Sequence, residues 1–184
     1  MILNSRNNLF LFNFPIAFIP DEIKDRYSKY LNRIPGNMIT RPIDFINYSV
    51  QSVNLPAVSY DPATQVGKHG RTRQYRASVP EQELMSKELT ITLQLLDGNI
   101  NYWILLDTLA FWYQFPQPKP FIPEGTSLRI LDSEGNIIVT SEFRKLLFKE
   151  IGSLEMSFSN NSQDFTTFDC TFGYDELITK VELD

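Results

Sequence analysis

The chain has 184 residues, 42% of them hydrophobic and 21% charged, the balance of a folded globular protein with room for one sizeable core and an extension. A formal net charge of −5 argues against a molecule built as a whole to grip nucleic acid. The single cysteine, Cys170, excludes an internal disulfide, and one cysteine with one histidine excludes a zinc cluster made only of those ligands.

The N-terminus, MILNSRNNLFLFNF, lacks the charged, apolar and small-residue succession of a secretory signal. The greasiest stretch, YWILLDTLAFWY (102–113), is interrupted by Asp107 and Thr108 and falls short of the ~20 residues that span a bilayer. The chain therefore reads as soluble, made in the cytoplasm, with no membrane partner. Leu9–Phe14 is a short apolar run. In DEIKDRYSKYLNR (21–33), Ile23, Tyr27, Tyr30 and Leu31 recur at helical spacing, and Glu22/Arg26 and Asp25/Lys29 stand four apart with the acid first. Residues 1–40 are expected to form an N-terminal helical extension, with the main domain at 41–184.

PIDFINYSVQSV (42–53) reads as β-like, with a phase shift between Phe45 and Ile46 that suggests a bulge or a strand buried on both faces. Residues 54–86 form a long polar loop. KELTITLQL (87–95) then alternates without a miss: Leu89, Ile91, Leu93 and Leu95 on one side, Glu88, Thr90, Thr92 and Gln94 on the other. DGN (97–99) supplies a turn and cap for a helix over 100–115. That helix contains Trp103 and Trp112. Its polar residues fall on two narrow lines, Asn101 with Thr108 and Asp107 with Gln114, so it is expected to be enclosed on several sides.

PQPKPFIP (116–123) is a stiff extended connector. SLRIL and NIIVT flank the turn DSEG (132–135), SEFRKLLF (141–148) and GSLEMSF (152–158) continue the strands, and SNNSQD (159–164) turns into the closing strand. There Phe168, Cys170, Phe172 and Tyr174 face one way and Thr167, Asp169, Thr171 and Gly173 the other. The expected class is mainly β (α+β): two packed antiparallel sheets, sandwich or barrel, with one buried helix. The expected core comprises Leu93, Trp103, Trp112, Phe168, Cys170, Phe172 and Tyr174.

Chemistry is sparse. The sole histidine, His69, sits in a Gly-rich basic loop, and no phosphate-cradling loop, nucleotide fingerprint or calcium-loop spacing occurs. No cofactor and no metal are expected, and the chain does not read as an enzyme; a carboxylate-dependent hydrolase stays open because two acids leave no local motif. One patch is anomalous. From Pro62 to Pro80 there is no Asp or Glu, while Lys68, Arg71, Arg73 and Arg76 gather around Tyr75. A solvated loop is one reading. A monomeric nucleic-acid-binding module using 62–80 is a second, since Arg and Tyr suit phosphate and base stacking. The favoured reading is a subunit interface, an arm reaching the acidic surface of a neighbouring copy.

The order GNIIVTSEFRKLLFKEIGSLEMSFSNNSQDFTTFDCTFGYDELI (135–178), ending on Phe168, Cys170, Phe172, Tyr174 and Asp175, resembles the tail tube proteins of contractile-tailed bacteriophages. Those are similar to the haemolysin-coregulated ring protein of type VI secretion. The strand–helix unit 87–115 and INYSVQSVNLP (46–56) fit the same layout. The resemblance implies two packed sheets with a helix at one side, rings closed by joining sheets edge to edge, and long loops that contact an adjacent subunit or ring. It implies a virion structural protein in a phage tail, partnered with copies of itself and with other tail or portal-proximal proteins. Genomic DNA would pass through the lumen without specific binding. The extension 1–40 and the stiff connector depart from a plain tube subunit, and a connector ring or hub would fit equally.

Overall fold

A computed structural model describes residues 9–33, 39–55, 63–67, 70–75, 87–114, 121–154 and 166–182. In chain order these form β1 (Phe10–Asn13), α1 (Asp21–Leu31), α2 (Pro42–Ser49), β2 (Val50–Asn54), β3 (Ala63–Val66), β4 (Thr72–Tyr75), β5 (Glu88–Gln94), α3 (Ile100–Gln114), β6 (Thr126–Leu131), β7 (Ile137–Arg144), β8 (Leu147–Ile151), β9 (Thr167–Gly173) and β10 (Glu176–Val181), with 3-10 turns at Ile16–Phe18 and Asp97–Asn99. One four-stranded sheet runs β1-β6-β7-β10, a second runs β2-β5-β9-β8, and β3 pairs only with β4. Every strand pair is antiparallel, and both large sheets are open rather than closed into a barrel.

The alternation in β5 and β9 decides which faces meet. Leu89 lies opposite Phe172, Ile91 opposite Cys170 and Leu93 opposite Phe168, and all six side chains are buried. Directly opposed apolar residues on one face are what pin a register, because a slip of one residue would turn the whole set to water. The strand expected to close the chain is thus central, flanked by β5 and β8. After it the chain turns at Asp175 and crosses into the other sheet as β10, an element the sequence reading did not anticipate. The turn lies beside the β7–β8 corner, where Lys145 adopts a left-handed φ of 51°. There the Asp175 N–H donates to the Arg144 carbonyl at 3.2 Å, and the Lys145 ammonium stands 3.4 Å from the Asp175 carboxylate. Both sheets exchange strands at this one corner.

The expectation that 1–40 lies outside the domain is corrected for its described part. β1 pairs with β6, and Phe12, Phe14, Phe18, Ile19, Ile23 and Leu31 are all buried. Phe14 stacks on Phe18 at 4.5 Å between ring centroids, and both approach Phe172, at 5.4 and 6.2 Å. The segment 42–53 is corrected too: it is a helix followed by a strand. Pro42 occupies the first turn of α2, where its missing N–H costs nothing. Ile43, Phe45, Ile46 and Ser49 are buried together, so the phase shift at Phe45–Ile46 was a helical period read as an interrupted two-residue one.

Helix α3 packs against α1, α2 and β8, and of its residues only Trp103, Tyr113 and Gln114 are exposed. Its buried residues are Ile100, Asn101, Ile104, Leu105 and Thr108, whereas Trp103 is 41% exposed and Tyr113 60% exposed. Trp112 is half-buried, its indole N–H donating to the Phe18 carbonyl at 3.2 Å. Placing Trp103 in the core is therefore corrected. One of the two polar lines marks the inner side: the Asn101 amide donates to the Gln94 carbonyl at 2.6 Å and accepts from the Leu96 N–H at 3.2 Å, and the Thr108 hydroxyl donates to the Ile104 carbonyl. Both polar groups meet their hydrogen bonds while buried, as buried polar groups do. Most of the strand expected at 152–158, the polar turn 159–164 and most of the connector 116–123 lie outside the described residues.

Candidate assembly surface

The basic arm expected to hold a partner is a β-hairpin. In β3 and β4, Thr64 faces Gln74, Gln65 faces Arg73 and Val66 faces Thr72. Its turn is fastened by the Gly67 N–H donating to the Arg71 carbonyl at 2.9 Å and the Gly70 N–H to the Gly67 carbonyl at 3.0 Å, with Gly70 supplying a φ of 72°. Thr64–Gly67 and Gly70–Gln74 are exposed throughout, Val66 to 71%. Arg71 and Arg73 stand on this hairpin and enter no ion pair among the described residues. Lys68, Arg76 and the Tyr75 side chain lie outside what is described, as does His69. A lone two-stranded ribbon is marginal in water. This one is attached to neither large sheet.

The sheet margins form the second part of the surface. The outermost strands are β1 and β10 in one sheet and β2 and β8 in the other. The β8 margin is partly closed from within the chain: the Tyr113 hydroxyl donates to the Phe148 carbonyl at 2.9 Å, and the Ile122 N–H donates to the Leu146 carbonyl at 2.8 Å. At β1 the Phe14 N–H donates to the Asn47 side-chain oxygen at 2.9 Å. No described strand pairs with the outer sides of β1, β2 and β10. Open margins of this kind are templates for pairing with another chain. An open groove of about 500 Å³ lies between β1 and the α2–β2 segment, lined by Leu11, Asp44, Asn47, Tyr48 and Gln51 among others.

The third part is the solvent side of the β2-β5-β9-β8 sheet. Thr90, Thr92, Gln94, Thr167, Asp169 and Thr171 alternate with the buried residues of β5 and β9. The Thr92 hydroxyl donates to Asp169 at 2.7 Å, Gln51 donates to Gln94 at 2.7 Å, and Lys149 pairs with Glu88 at 2.7 Å. The face is polar and its charges are mostly engaged.

Among the described residues, the titratable groups with shifted protonation are held in structural contacts. Asp107 is held by the Arg26 guanidinium at 2.9 Å and the Tyr27 hydroxyl at 2.8 Å, an arrangement that ties α1 to α3. Burial first, and then that hydrogen bond, push the Tyr27 phenol up to about 12. Burial, with the Asp169 charge adding, pushes the Cys170 thiol well above the ordinary thiol range, the opposite of an activated nucleophile. Among the described residues, no cluster of three or more His, Cys, Asp and Glu side chains could hold a metal, and no helix is long and apolar enough to cross a membrane.

No protein-family model matches the chain, and no curated protein matches its sequence. Solved structures match by fold. A chain of the anti-feeding prophage cap, the cap that terminates the tube, superposes with a TM-score of 0.54 at 9% identity, covering 99% of this chain and 94% of that one. A chain of the anti-feeding prophage baseplate gives 0.54 at 10% identity, with 98% of each covered. A chain of the PVC sheath–tube complex, from an extracellular contractile injection system in its extended state, gives 0.50 at 15% identity over 97% and 93%. Identities this low speak for fold alone, and on that level the resemblance to tail tube proteins holds: this chain has the fold of components of phage-tail-like injection assemblies.

Proposed function

We propose that the chain is a non-enzymatic structural subunit of a phage tail or a related tube, closing with copies of itself into a ring. The observation that carries this reading is the set of open margins at β1, β2 and β10, beside a basic hairpin attached to neither sheet. Joining subunits head to tail satisfies such margins in a closed circle. The near-complete coverage of tube, cap and baseplate chains supports the same reading. The polar, largely charge-engaged face of β5 and β9 lines the lumen in this arrangement, and an acidic subunit lets DNA slide through without holding it. Other tail proteins flank the ring.

The purified protein is expected to give rings or short tubes in negative stain and a multiple of 21.3 kDa by mass measurement in solution. A monomer at all accessible concentrations would refute the proposal. Changing Arg71, Arg73 and Arg76 together to Glu is expected to weaken assembly while leaving the monomer folded. Arg71 and Arg73, exposed on a ribbon paired with neither large sheet, also favour a second reading, a module that binds nucleic acid through that ribbon. A monomer whose DNA affinity falls steeply with salt would select it.

A further inference from the structure

We infer that in the assembled state the β3–β4 hairpin of one copy lies along β1 of a second copy, in the groove between β1 and α2, adding strands to the β1-β6-β7-β10 sheet. This rests on the reading of the chain as a self-assembling subunit and names the contact.

Main-chain geometry is the first support. The Leu131 N–H donates to the Leu9 carbonyl at 3.0 Å. In an antiparallel pair every second residue turns its main-chain groups toward the partner, so Leu9, Leu11 and Asn13 address β6. Phe10, Phe12 and Phe14 turn theirs outward, and the Phe14 N–H indeed leaves the sheet to reach Asn47. The N–H and C=O groups of Phe10 and Phe12 therefore point into the groove, where no described strand meets them. That row is the length of a short strand, and β3 and β4, of four residues each, match the four of β1.

Charge is the second support. Asp44 is exposed in the groove and makes no ion pair among the described residues. The described charges of the hairpin, Arg71 and Arg73, are both positive and equally without an acid partner there. Exposed apolar surface also stands on both sides: Leu11 at 48% and Tyr48 at 72% in the groove, Val66 at 71% on the hairpin. A strand-seeking edge, a lone acid and an apolar rim fit a basic ribbon better than they fit a phosphate backbone, which Asp44 would repel.

Charge reversal tests the contact. Asp44→Arg and Arg73→Glu, each alone, are expected to lower the assembled fraction at fixed concentration at least tenfold while the monomer still unfolds in one cooperative transition, with a small fall in Tm for Asp44→Arg because Asp44 stands in the first turn of α2. Mixing the two variants, one of them labelled, is expected to restore mixed pairs, because each then offers the other a matched arm and groove. In wild-type assemblies the Phe10 and Phe12 amides are expected to exchange with solvent at least tenfold more slowly than in the Asp44→Arg monomer. Wild-type assembly with indifferent single variants overturns this contact and spares the subunit reading. Rescue only when both changes sit in one chain overturns it as well, since the hairpin would then serve its own groove. A wild-type chain that never assembles overturns both readings.

Discussion

Replacing Phe172 by Ala probes whether the two sheets and the N-terminal segment share one core. Phe172 is fully buried and stacks on Phe148 of β8 at 4.6 Å and an interplanar angle of 18°. Phe14 lies at 5.4 Å and Phe18 at 6.2 Å. Removing a buried ring costs about 3–5 kcal/mol, depending on how far the surroundings collapse. Here the ring neighbours come from two separate stretches of chain, β8 and the N-terminal segment, so collapse is poor and about 4 kcal/mol is expected. For a chain of this size that corresponds to a fall in Tm of roughly 8–16 °C. Urea titration at a concentration that keeps the protein monomeric should show a lower midpoint with the slope preserved. Phe18→Ala should cost a comparable amount, and the double variant should reveal a coupling of about 0.5–1.5 kcal/mol. A loss under about 2 kcal/mol for Phe172, or a near-neutral Phe18→Ala, would refute the shared core and restore the N-terminal segment to an appendage.

On α3, Leu105→Ala should destabilise by about 2–5 kcal/mol, while Trp103→Ala, at a position 41% exposed, should cost clearly less; equal losses by urea titration would mean the outer face of the helix is covered. Tyr27 gives a pH dependence whose sign is fixed by its raised pKa: its contribution to stability is intact below the unfolded phenol value of about 10 and is lost as pH climbs toward about 12. Ultraviolet titration should find Tyr27 ionising late, and Asp107→Asn should bring it down by removing one of the causes. Cys170, buried and shifted upward, should resist a thiol reagent in the native protein and react at once in denaturant; rapid native labelling would contradict its place opposite Ile91.

What the sequence disclosed most clearly was wherever one period ran unbroken and both neighbours were strands. The rows Leu89–Ile91–Leu93 and Phe168–Cys170–Phe172 are buried and directly opposed, because a two-residue alternation leaves only one face to hide. Residues 42–49 were misread because five buried positions in eight satisfy either period over so short a span, and the deciding clue, Pro42 just inside the start, was available. Trp103 was placed inside because the polar residues of α3 fall on two narrow lines, whereas the inner side of the helix is marked by Asn101, which bonds the Gln94 carbonyl and the Leu96 N–H. That choice depends on the Gln94 carbonyl and the Leu96 amide, which only the folded chain brings near.

The N-terminal segment was misjudged for a related reason, and the reason bears on assembly. Phe10, Phe12 and Phe14 already carried the two-residue period, but one short strand far in sequence from β6 announces no partner. Local patterning reports which face of a strand is apolar; it does not report which margin is occupied, since main-chain groups are the same in every residue. The basic residues of 68–76 were conspicuous in the sequence for the opposite reason, being side chains. Their counterpart in the β1 groove consists largely of the main-chain groups of Phe10 and Phe12 with a single acid, Asp44. A surface made chiefly of unpaired backbone is invisible to composition, and here it became legible only when the Leu131–Leu9 hydrogen bond fixed which residues of β1 turn outward.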